Sequence, residues 1–117
     1  MRVTRPRARR YPFNATIELT QLESGVEVRG QTNDLSLFGC RVNALNPMAV
    51  GSSVRIRISH QSRIFTALGR VVHAGAKGEM GVYFTSIEQT NQLILEKWVD
   101  ETRQLCRSNS RVRVKNC

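Results

Sequence analysis

The sequence predicts a mostly-β fold: a closed or nearly closed antiparallel barrel followed by one C-terminal α-helix. Three observations carry this expectation. Short stretches of alternating apolar and polar residues recur between Asn14 and Phe84. Turn-forming glycine, proline, serine and asparagine separate them. The one clear helical periodicity begins only after Ser86. Six or seven short strands in a chain of 117 residues suit a barrel, because closure removes exposed strand edges. The length fits a single domain.

Taken in order, residues 1–12 form a basic arm carrying Arg2, Arg5, Arg7, Arg9 and Arg10, with Pro6 and Pro12 opposing helix. Like charges repel, so the arm is expected to be mobile in the free protein. Residues 13–106 form the barrel and helix. Ala15–Leu19 alternates, Ser24-Gly25 marks a turn, and Val26–Gly30 resumes the alternation. The segment Asp34-Leu35-Ser36-Leu37-Phe38-Gly39 reads as a turn before the short strand Cys40–Asn43. Val54-Arg55-Ile56-Arg57-Ile58 is the cleanest alternation, with aliphatics on one face and arginines on the other. A longer strand from about Arg63 to His73, a glycine turn at Gly75 and Gly78, and a last strand Met80–Phe84 complete the set. Ser86 with Gln89 has capping-box spacing. Ile87, Ile94, Leu95, Trp98 and Leu105 then form an apolar stripe that places the helix over the barrel mouth. Residues 107–117 form a basic tail expected to fray.

The net charge of +9 calls for an anionic partner. Fifteen of the eighteen basic residues are arginines, whose planar fork matches phosphate and the guanine edge in two-point contacts. Two spacings sharpen this. Arg5 and Arg9 form an RxxxR pair, which in an extended arm shares a face and spans about 13 Å, suiting two separated anionic groups. Asp34, Ser36 and Gly39 form a DxSxxG spacing, and Asp34 is the only acid between Glu27 and Glu79. One carboxylate can accept from both N1–H and N2–H₂ of guanine, a donor pair that adenine lacks. Ser36 offers a short hydroxyl to a base edge or a phosphate, and Gly39 permits close approach.

With both motifs in place, the chain resembles the PilZ family, bacterial receptors for cyclic di-GMP. The resemblance extends to Gly39-Cys40-Arg41-Val42, Gly69-Arg70-Val71-Val72-His73 and Gly81-Val82-Tyr83-Phe84, and so covers Arg5 to about Leu105. It implies a six-stranded antiparallel barrel with a C-terminal helix. It also implies that Arg5 and Arg9 bind phosphates and guanine, that Asp34 and Ser36 contact a guanine, and that Gly39 admits the ligand. In many members the second motif arginine directly precedes an apolar or Tyr-Pro segment. Here Arg10 precedes Tyr11-Pro12, which opens a second register with Pro6 in the first arginine's place. His73 falls where some relatives carry a bulky aromatic near the ligand.

No nucleophile–base pair, carboxylate pair, metal-ligand spacing or phosphate-binding glycine loop is present, so a binding module without catalysis, cofactor or metal is expected. His60 has no evident chemical partner. Cys40 reads as a small core residue and Cys106 and Cys117 as bystanders, which fits a reducing cytoplasm. No apolar run approaches the roughly 20 residues of a membrane span, and no secretion signal follows the basic start. The expected receptor is a cytoplasmic monomer. It binds cyclic di-GMP, with enough arginines for a stacked, intercalated pair of ligands, and its arm orders to form a surface for a downstream protein. Two alternatives are a barrel of the same fold that has lost the ligand and acts as a protein-interaction adaptor, and a nucleic-acid-binding barrel. Only seven aromatics, few of them on strands, weigh against nucleic acid.

Overall fold

A computed structural model describes residues 9–108. The elements are β1 (Tyr11–Pro12), β2 (Thr16–Gln21), β3 (Glu27–Leu35), β4 (Gly39–Ala44), β5 (Ser53–His60), β6 (Arg63–Ala74), β7 (Glu79–Ser86) and α1 (Gln89–Ser108). All pairings are antiparallel, and the sheet order β3-β2-β5-β6-β7-β4 is closed by a direct β3–β4 pairing. The expected six-stranded barrel is therefore the observed one. The two-residue β1 lies outside the ring and shares one edge of β3 with β2: Tyr11 and Pro12 face Leu35 and Asp34, while Thr16–Thr20 face Gln31–Glu27.

Period-two patterning explains the closure. Val54, Ile56 and Ile58 of β5 are fully buried while Arg55 and Arg57 point outward. Ile17, Leu19, Phe65, Val71, Met80, Val82, Val42 and Cys40 fill the same interior from the other strands. Each large aliphatic side chain so buried contributes roughly 1.5–3 kcal/mol. Met48, in the β4–β5 loop, stoppers one end, its backbone N–H donating to Met80 Sδ at 3.2 Å. The helix closes the other end. Leu95 and Trp98 are buried, and the Trp98 ring lies 5.4 Å from Phe13 and 6.2 Å from Phe65. The Thr66 backbone N–H donates to Asn91 Oδ1 at 2.8 Å, tying the helix start to β6.

Several local expectations change. Ser86 ends β7, opposite Leu68, and the helix begins three residues later at Gln89, so Ser86 does not cap it. Leu105 is 62% exposed and lies off the buried stripe. His60 does have partners: its ring sits 4.5 Å from Phe13 and 5.4 Å from Trp98, in an aromatic cluster at the helix-covered end. Cys40 is a free, buried core residue as expected, whereas Cys106 is disulfide-bonded rather than a bystander. Among the described residues no helix is long and apolar enough to cross a membrane.

Candidate functional site

The Asp34–Gly39 segment divides between a strand and a turn. Asp34 and Leu35 are the last residues of β3, and Leu35 is in the core; only 36–38 form the hairpin turn. β3 has no clean apolar alternation, which is why its true length escapes periodicity. It is held by hydrogen bonding on both edges.

Within the turn, Ser36 bonds locally. Its Oγ accepts from the Phe38 and Gly39 backbone N–H groups at 3.1 and 3.2 Å and lies 3.3 Å from the Gly39 carbonyl oxygen, to which it donates. The Ser36 backbone N–H also donates to the Gly39 carbonyl at 2.9 Å. The side chain is buried and its hydroxyl fully engaged, a serine turn that shapes the hairpin. Gly39 begins β4 against Tyr83 of β7, and a Cβ there would collide with the Val82 carbonyl oxygen. The serine and glycine of the motif thus shape the hairpin and bring β4 tightly round onto β7.

Asp34 is different. It sits between Pro12 of β1 and Arg41 of β4. Oδ1 accepts the Arg41 backbone N–H at 3.0 Å and pairs with Arg10 Nη1 at 3.6 Å. Among the described residues no hydrogen bond reaches Oδ2. Both partners of the ion pair are partly open to solvent, and such pairs contribute only about 0–1 kcal/mol. Arg10 can therefore exchange this contact for a ligand at little cost. Arg9 turns elsewhere, its guanidinium 5.7 Å from the centre of the Tyr11 ring. Of the two motif registers, Arg10 is the arginine that meets Asp34. Arg5 lies outside the described residues.

Thr32 fixes this arrangement. It is buried, its Oγ1 donates to the Phe13 carbonyl at 2.6 Å, and it accepts the Ala15 N–H at 2.8 Å. It bridges the gap between β1 and β2 and so pins the base of the arm beside Asp34. Below the site lies Cys40, whose thiol burial pushes up to about 12; Asp34's charge adds to the rise and Arg10's opposes it.

A family model described as the PilZ domain matches residues 4–101. The chain belongs to the PilZ domain family. Solved structures carry the same fold. The PilZ domain of YcgR from Escherichia coli with c-di-GMP shares 15% identity at TM-score 0.69, covering 94% of this chain and 100% of that one. The PilZ domain of CeSA from a cellulose-synthesizing bacterium shares 20% at TM-score 0.64, covering 84% and 98%. The inhibitor of motility MotI/DgrA from Bacillus subtilis shares 19% at TM-score 0.68, covering 90% of this chain and 54% of that one. This chain thus spans about half of that longer relative. No curated protein matches.

Within this PilZ barrel, sequence reasoning missed two residues of the site. Thr32 looks like any strand threonine, and only the split pairing of β3 reveals its role. Arg41 lies in the short strand that the sequence predicts, but nothing in one dimension shows that it faces Asp34. Among the described residues no cluster of His, Cys, Asp and Glu could hold a metal ion. A cleft of about 530 Å³ opens beside the arm's base, lined by Pro12, Phe13, His60, Trp98, Thr102 and Leu105 among others.

Proposed function

We propose that this PilZ domain is a non-catalytic receptor for cyclic di-GMP. One observation carries the reading: Arg10, at the root of an arginine-rich arm, converges on Asp34, a solvent-accessible carboxylate with an oxygen to spare. In this reading Asp34 accepts from the N1–H and N2–H₂ edge of guanine. Arg10, Arg9 and Arg5 take the phosphates and the O6/N7 edge, each charge-assisted hydrogen bond contributing roughly 1.5–3 kcal/mol. Ser36 and Gly39 hold the hairpin so that Asp34 faces the arm. The complex of the YcgR PilZ domain with c-di-GMP supports the ligand class. Binding draws the arm over the barrel wall and presents a new surface to a downstream protein, and the number of arginines allows a stacked pair of ligands.

Titration calorimetry with cyclic di-GMP tests this. Asp34→Ala and Arg10→Ala each weaken binding at least tenfold, and Arg9→Ala weakens it by a comparable factor. A flat trace with folded wild-type protein overturns the reading. It would leave a protein-interaction adaptor, the second reading, which Pro6 favours by standing four residues before Arg10, where the first arginine of the spacing would be.

A further inference from the structure

We propose that Arg41 is an additional ligand-binding residue, which holds a phosphate of the cyclic dinucleotide beside Asp34; this rests on the ligand reading above. Arg41 stands directly opposite Asp34 in the β3–β4 register, and directly paired residues of antiparallel strands project to the same side. The two charges are neighbours, yet they are not each other's ion pair. Asp34 takes only the backbone N–H of Arg41 and gives its charge to Arg10. The Arg41 guanidinium, exposed on the outer wall, has no hydrogen bond or ion pair among the described residues.

The wall around Arg41 explains what that cation faces. On the β1 side of Asp34 stand Pro12 and Arg10, so that flank is occupied. On the other side the row runs Asp34, Arg41, Gly81, His73 across β3, β4, β7 and β6, one strand spacing of about 5 Å per step. Gly81 leaves bare backbone beside Arg41, and a Cβ there would approach His73 Cβ to 3.3 Å. A cyclic dinucleotide whose guanine edge is held by Asp34 carries two phosphodiesters away from that edge, and one that is not taken by the arm on the β1 flank has this open side to occupy. A phosphate over Arg41 gains charge-assisted, two-point contacts. Because Arg41 stands on a strand, its backbone is already placed, and binding there loses less entropy than ordering the arm.

The test is calorimetry with cyclic di-GMP at two salt concentrations, with a thermal melt of each variant. Arg41→Ala is expected to weaken binding at least tenfold and to flatten the salt dependence, since one screened cation has gone. Arg41→Lys, which keeps the charge and loses the fork, is expected to fall between wild type and Arg41→Ala; it also serves if the alanine variant does not fold. Arg55→Ala removes an outward arginine from β5, on the opposite wall of the ring, and is expected to stay within twofold of wild type. Unchanged affinity in Arg41→Ala, or an equal loss in Arg55→Ala, overturns the assignment while leaving the receptor reading intact. A wild type that does not bind overturns both.

Discussion

Cys40 sits one residue past the motif glycine, fully buried beneath Asp34 and Arg10. Burial lifts its thiol from an ordinary 9.0 to about 12, so folding favours the neutral form. The sign follows. Below pH 9 the unfolded thiol is also neutral and nothing is lost; as pH rises from about 9 to 12 the unfolded chain ionises first and stability falls. Denaturant melts at rising alkaline pH should show this decline, and Cys40→Ala should lack it. Iodoacetamide followed by peptide mapping should leave Cys40 unlabelled in native protein and label it in urea, since the thiolate is the reactive species. At the same scale, Asp34 was readable from the sequence as the isolated acid of a basic chain. The duties of Ser36 and Gly39 were not. Their spacing does not reveal the hairpin they fold, which the hydrogen bonds of the Ser36 hydroxyl show.

Elements were legible where their two faces differ. β5 announces itself by placing aliphatics against arginines, and the buried half of the helix stripe, Leu95 and Trp98, follows its period. β3 was cut short because Glu27–Leu35 has few apolar residues, and its order comes from partners distant in sequence. The β5–β6 turn was also invisible. Gln61 and Ser62 both adopt positive φ, at 49° and 66°, a left-handed pair that sequence reasoning expects of Asn-Gly. The cost of holding two ordinary residues there yields a prediction. Replacing Gln61→Asn together with Ser62→Gly should stabilise the protein by about 1 kcal/mol, raising the melting temperature by a few degrees in calorimetry.

At the scale of the molecule, the root of the arm, the site and the helix meet at one end of the barrel. Thr32 pins the arm's root to β3, and Phe13, the next residue after β1, packs on both His60 and Trp98. A ligand that draws the arm onto the wall must therefore act close to the helix. The expected outcome is protection: with saturating cyclic di-GMP, trypsin should cut after Arg7, Arg9 and Arg10 at least fivefold more slowly, followed by mass spectrometry of the N-terminal peptides. Unchanged cleavage with calorimetric binding intact would show that the arm does not close. The fold class was legible in full at this scale, because strand number and turn spacing dictate closure; the meeting of the arm's root and the helix was not, because it depends on which end each loop reaches.

Ring closure has one more consequence. Each of the six barrel strands has a neighbour on both sides, and β1 adds only two residues, one of them a proline without an N–H. Among the described residues, no long row of unsatisfied amides is left on which another chain could template itself. Among the described residues the barrel thus offers no edge to a sheet-extending partner. A partner of the barrel would have to recognise the chemical texture of its side chains, and that texture is what a bound anion on an arginine-rich wall would rewrite.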